Sequence, residues 1–184
     1  MIKKNNLSDK DDILIQSYFI VAFLTELKNL DFLNSEYYKN SKFQDSFVQE
    51  NLPSIGIDNR GCLIIFLYAL LVLPKEQFKD SELEKAFDKL NKKIKPLVYQ
   101  ESSNYKRDIM NGNMEIQYLY HIRNAIVHCK IKFENNLVVF NDINNKVKKG
   151  NPNEECQIKI QMNKMGAIIT LLQMTIIKYL KTKN

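Results

Sequence analysis

At 184 residues, 45% of them hydrophobic and 26% charged, the chain is long enough for one substantial core and short for two domains. Glycine and proline are sparse, so a single, mostly helical domain over residues 1–184 is expected. The longest apolar run, 62–73, is 12 residues and stops at Pro74. A membrane span needs roughly 18 to 20, so the run reads as a buried core helix and no membrane association is expected.

The start places Asp9, Asp11 and Asp12 soon after Lys3 and Lys4, where a secretory signal would be apolar. Cys62, Cys129 and Cys156 are odd in number and lack a C-x-x-C spacing, so they read as reduced thiols of a cytoplasmic protein. No zinc ligand set is clustered in the sequence. The net charge of +6 is uneven: −2 over residues 1–50, +2 over 51–110 and +6 over 111–184. A basic last third favours a polyanion such as RNA or a nucleotide, although a lysine-decorated solvated surface explains it equally well.

Apolar residues recur on a helical period from 12 to 30 behind the acidic start, predicting a first long helix. Residues 33–49 place Tyr37, Tyr38, Phe43, Phe47 and Val48 among polar neighbours, predicting a shorter irregular helix broken by Leu52-Pro53-Ser54. Asp58 is placed to cap a central helix from Asn59 to Leu73, apolar on nearly all sides. Ser81 and Glu84 have the spacing of a capping box for an amphipathic helix to about Ile94, buried through Leu83, Phe87, Leu90 and Ile94. Residues 99–112 are polar and predict a loop or frayed helix.

The helical pattern resumes from Met114 to Cys129. After His128 the period falls from about 3.6 residues to 2. Residues 130–134 and 137–142 predict a hairpin around Asn135-Asn136, and 156–161 predict a third strand behind a polar loop. Asn163 is placed to cap a final helix from Lys164 to Lys181. The expected fold is thus mainly α, a helical bundle carrying a small antiparallel hairpin and third strand near the C-terminus, over about 130–161.

Both histidines fall within Tyr118-Leu119-Tyr120-His121-Ile122-Arg123-Asn124-Ala125-Ile126-Val127-His128-Cys129. Histidine is the side chain that serves as acid and base near neutral pH, so proton-transfer capacity is concentrated there. Residues four apart share a helix face, which pairs Asn124 with His128; Gln117, Tyr120 and His121 extend that polar side. Arg123 lies about 100° round the helix and reaches back. The helix is expected to present Arg123, Asn124 and His128 outward while Ile116, Leu119, Ile122, Ile126 and Cys129 face the core.

Such a trio suits cleavage of an RNA phosphodiester. His128 can take the 2′-hydroxyl proton or give one to the leaving 5′-oxygen, Arg123 can clamp the phosphate, and Asn124 can orient either. No metal or cofactor is called for, since no acidic cluster surrounds the stretch in sequence. One helix offers a single strong acid-base histidine, so a twofold dimer with this helix at the interface would supply two sets. His121 is otherwise a second proton-transfer group in the same chain or a surface residue. A bland reading competes throughout: Arg123 pairs with Glu115 or Asp142, His128 caps the helix C-terminus, Tyr118 and Tyr120 pack, and Cys129 is a small buried hydrophobe.

Arg123-Asn124-Ala125-Ile126-Val127-His128 resembles the signature of the HEPN superfamily, in which Arg, a polar residue and a downstream His stand near the end of a helix. The surrounding string from His121 to Phe140-Asn141-Asp142, and the segment from Arg60-Gly61 to Pro74-Lys75-Glu76, are similar to small prokaryotic HEPN proteins of plasmids and defence loci. The resemblance covers roughly residues 55–142. It implies that Arg123 and His128 are the catalytic pair and Asn124 the polar neighbour, with His121, Tyr120 and Gln117 as accessory candidates. It also implies a homodimer with both motifs in one cleft, and metal-independent endoribonuclease activity as a toxin or antiphage component, with an antitoxin as a further partner. Other superfamily members bind nucleotides, partner a nucleotidyltransferase or have lost activity, so the alternative is a non-catalytic nucleotide- or RNA-binding or toxin-partner dimerisation module. Val127 and Cys129 depart from the Ala and Gly the resemblance leads one to expect beside the histidine.

Overall fold

A computed structural model describes residues 8–79, 81–110, 112–144 and 153–183. Ser8 opens α1 (Asp9–Asn29) with a capping box, its hydroxyl accepting from the Asp11 N–H while the Asp11 carboxylate accepts from the Ser8 N–H. Asp11 is buried, and Tyr179 of the last helix donates to it at 3.0 Å.

A short 3-10 turn (Phe32–Asn34), α2 (Glu36–Asn40) and α3 (Ser46–Ile55) stand in place of the one irregular helix expected. Pro53 does not break α3. Proline lacks the N–H that would bond the Gln49 carbonyl four residues back, and the Tyr38 hydroxyl donates to that carbonyl at 3.1 Å instead.

Asn59, rather than Asp58, caps the central helix, accepting from the Cys62 N–H at 2.9 Å. Asp58 pairs with Lys28. The helix also passes Pro74, where the sequence predicts its end: α4 (Arg60–Leu67) opens into a π turn (Tyr68–Val72) and closes again as α5 (Leu73–Gln77). The Leu73 N–H reaches the Tyr68 carbonyl, five residues back. A wider turn relieves the clash a proline ring makes with the carbonyl four residues before it. It also buries Leu70, Leu71 and Val72 in succession.

The next predicted helix divides at Lys89 and Leu90 into α6 (Glu82–Asp88), capped by Ser81, and α7 (Asn91–Ile94). Residues expected as loop then form β1 (Val98–Ser103) and a small hairpin, β2 (Ile109–Met110) with β3 (Asn113–Met114). Most of β1 is exposed, so it has no apolar alternation to reveal it. α8 (Tyr118–Val127) starts four residues later than expected.

β4 (Ile131–Glu134) and β5 (Leu137–Asn144) pair through the predicted turn, where Asn135 and Asn136 have φ of 46° and 64°. Such left-handed geometry is what a two-residue hairpin turn demands. The expected polar loop falls mostly outside the described residues. β6 (Glu154–Gln161) runs directly into α9 (Met162–Lys181), which Gln161 precedes in place of an Asn163 cap.

The sheet order is β1-β6-β5-β4, all antiparallel, one strand more than predicted. Its inner face, through Val138, Phe140, Ile158 and Ile160, meets α8 and α9, and one continuous core joins it to α1 and the π turn. The molecule is a mainly helical bundle with a small antiparallel sheet toward its C-terminal end. No single helix among the described residues is long and apolar enough to cross a membrane.

Ile122 sits in the middle of α8 with no exposure. Replacing it by alanine should cost about 2–5 kcal/mol, read as a lower urea midpoint without loss of helical circular dichroism.

Candidate functional site

Burial splits the polar residues of α8 into two groups. His121 and Asn124 are 1% and 8% exposed, Tyr120 and Arg123 are half-buried, and Val127, His128 and Cys129 are exposed. The outward trio expected from helical spacing is therefore corrected for Asn124, and the inward placement is corrected for Cys129. His121 is not a surface residue either. The reason is that α8 has no solvent on its second flank: β5 brings Asp142 there, and the turn before β2 brings Asp108.

His121 is closed between these two carboxylates. Its Nδ1 lies 2.7 Å from Asp142 Oδ2, and its Nε2 lies 2.9 and 3.2 Å from the two oxygens of Asp108. Both ring nitrogens are therefore engaged inside the core. Asp108 also accepts from the Ser103 hydroxyl and from the Gln117 N–H at 3.1 Å, so its place at the entry to α8 is fixed by backbone as well. Asp142 Oδ2 further accepts from Asn124 Nδ2 at 2.9 Å. Burial alone would raise the Asp142 carboxyl, but hydrogen bonds from His121, Asn124 and Tyr105 outweigh it and hold the group below the ordinary aspartate range. The Tyr105 hydroxyl is correspondingly pushed up, by burial and then by Asp142.

Asn124 links this cluster to the surface. Its Oδ1 accepts from Arg123 Nη1 at 2.8 Å, and the other arm of the guanidinium pairs with Glu76 of α5. The ion partners considered from sequence, Glu115 and Asp142, are not the ones found. Tyr120 is covered by the Arg107 guanidinium, 3.5 Å above its ring centre. Gln117 stands at the N-cap of α8, bonded to Asn91, and serves the helix start.

His128 is the C-cap of α8. The Lys130 N–H reaches the Ala125 carbonyl and the Cys129 N–H reaches that of Ile126, the bond pair of a Schellman ending. That ending puts Cys129 at φ 52°, a left-handed conformation that favours glycine. The glycine expected from the family pattern thus has a backbone reason. It also turns the chain sharply after His128, leaving the imidazole in solvent.

Asp108, His121 and Cys156 offer three ligand atoms within 4.8 Å of one another, a donor set that separation in sequence hides. Here Nε2 is engaged with Asp108, and the Cys156 thiol, pushed up to about 12 by burial and by Asp108, keeps its proton at neutral pH. A metal would have to break the His121–Asp108 contact and take the place of the thiol proton. The sequence reading missed Asp108, Glu76, Tyr105 and Arg107, and weighed Asp142 only as an ion partner. One signal was present: along β5, Val138, Phe140 and Asp142 alternate inward, and a charge at an inward strand position needs a partner.

The fold and this motif define a helical-bundle protein with an arginine and a histidine, four residues between them, at the exposed end of a helix packed on a small sheet. A family model described as HEPN pEK499 p136 matches residues 1–183, and the chain belongs to that HEPN family. The match extends well beyond the 55–142 stretch that carries the resemblance. No curated protein and no solved structure matches the chain.

Cys129→Gly should stabilise the protein by about 1 kcal/mol, measured by urea unfolding, because it removes a left-handed non-glycine residue. The buried carboxylate makes a second expectation. A carboxyl held low in the fold contributes stability that is present above its unfolded value and lost as pH falls through the folded one. The stability gap between wild type and Asp142→Asn should therefore be full at pH 7 and close as the pH drops below 3.8.

Proposed function

We propose that the protein is a metal-independent endoribonuclease that works as a homodimer, with Arg123 and His128 as its catalytic pair. The observation that carries this reading is the separation within α8: Arg123 is held at the surface by Asn124 while His128, at the helix end, stands in solvent. Membership of a HEPN family supports it.

In this reading the His128 imidazole removes the 2′-hydroxyl proton, and the 2′-oxygen attacks the phosphorus. The 5′-oxygen leaves as it takes up a proton from the partner's His128. The products are a 2′,3′-cyclic phosphate and a free 5′-hydroxyl. Arg123 holds the non-bridging oxygens as negative charge grows on them, the phosphate taking the place that Glu76 occupies in its absence. Asn124 acts on Arg123 from behind and does not meet substrate. Two grooves of the described residues, about 690 and 610 Å³, lie between α1, α4 and α9 and between α6, α7 and α9. The motif lies outside both, on the exposed end of α8, and in this reading its cleft is completed by a second copy across Tyr120, Arg123, Val127 and His128.

One feature favours a second reading, a non-catalytic module that binds RNA, a nucleotide or a toxin partner: Arg123 is already neutralised by Glu76. The two part in one experiment. The ribonuclease cleaves RNA in EDTA to 2′,3′-cyclic phosphate ends, and Arg123→Ala and His128→Ala each lower the rate by about 100-fold or more while sedimentation still shows a dimer. Undiminished cleavage by both variants would sink it; tight binding without turnover would select the module.

A further inference from the structure

We propose that Asp142 is a positioning residue for Arg123, acting through the Asn124 amide. Its catalytic consequence rests on the ribonuclease reading; its geometry does not. The key is donor and acceptor polarity. A carboxylate only accepts and a guanidinium only donates, whereas an amide has one end of each kind. Asn124 lies between the two: Nδ2 donates to Asp142 at 2.9 Å and Oδ1 accepts from Arg123 at 2.8 Å. Asp142 therefore dictates which way the amide faces, and the amide presents to Arg123 the only atom the arginine can use.

The carboxylate is itself immobilised. His121 closes on the same Oδ2 at 2.7 Å, Asp108 holds the far side of the ring, and Tyr105 donates to Asp142. At 4% exposure for Asp142 and 8% for Asn124, the bond between them is shielded from solvent. The guanidinium is thus fixed from the protein side by Nη1, and its remaining donors face Glu76 or an incoming phosphate. Orientation of this kind, made before substrate arrives, lowers a barrier by removing the need to reorganise.

Alanine at 142 removes the acceptor that selects this orientation. The Asn124 amide is then free to turn either end toward the arginine, and its NH₂ would meet the guanidinium donor against donor. Asparagine at 142 keeps the order, because His121 and Asn124 share one carboxylate oxygen and an amide oxygen in its place accepts from both.

The test compares wild type, Asp142→Ala, the conservative Asp142→Asn, and Asn124→Ala, which leaves the carboxylate cluster in place. Rotation of the Arg123 Nη groups is followed by ¹⁵N side-chain NMR in a Glu76→Ala background, so that the exposed ion pair does not restrain the arginine. Cleavage is measured with Glu76 intact. Asp142→Ala and Asn124→Ala should each speed the rotation and lower kcat by about tenfold with KM within about twofold, and Asp142→Asn should stay close to wild type in both. Unchanged rotation in the alanine variants, even with a lower melting temperature, or rotation in Asp142→Asn as fast as in Asp142→Ala, would overturn the proposal. If rotation follows this order but the wild type cleaves no RNA, the ribonuclease reading fails and the positioning role stands.

Discussion

The constraint on which the rest depends is the closure of His121 between Asp108 and Asp142. Two carboxylates taken out of water carry a desolvation cost of several kcal/mol each unless every lone pair finds a donor. The fold meets that demand with donors from separate elements: Ser103 at the end of β1, the Gln117 backbone at the entry to α8, and His121 and Asn124 on α8 itself. Each of these elements is thereby fixed against the others. A one-residue slip of β5 would swing Asp142 out to the opposite face of the sheet, and a rotation of α8 by one residue would carry His121 away from both carboxylates. The cluster sets the rotation of α8, and that rotation decides which residues remain at the surface.

Two local departures from ideal backbone complete the placement. The π turn adds one residue to the central helix ahead of Pro74, advancing everything beyond it by about 100° and 1.5 Å relative to a regular helix. Glu76 reaches Arg123 from that shifted position. At the other end of α8, the left-handed Cys129 ends the helix at His128 and starts β4 two residues later. The motif is thus bounded by two irregular turns, one supplying its counter-ion and the other its exposed histidine.

What the sequence disclosed depends on how locally each feature is encoded. The long helices α1 and α9, the Asn135-Asn136 hairpin and the third strand are written in periodicity and turn chemistry, and the buried face of α9 lies where that pattern puts it. β1 is an edge strand of exposed polar residues that takes its order from pairing with β6, a contact about 60 residues away that no local pattern encodes. The site divides in the same way. The six-residue motif is contiguous and legible, but Asp108 and Asp142 reach His121 across 13 and 21 residues. Helical spacing alone treats the polar side of α8 as solvent-facing, so it sets Asn124 outward and leaves His121 without a partner.

Rarity draws attention to both histidines, but they do opposite work. His121 is committed to structure: each ring nitrogen is engaged by a buried carboxylate. His128 is committed to nothing among the described residues except the backbone ending of its helix. In the proposed ribonuclease reading the proton-transfer group is the one not tied into the buried hydrogen-bond cluster, which singles out the exposed His128. The fold has made one imidazole part of a buried cluster bonded through Asp142 and Asn124 to Arg123, and left the other exposed at the end of α8, where the proposed reading has substrate and a second copy of the chain meet it.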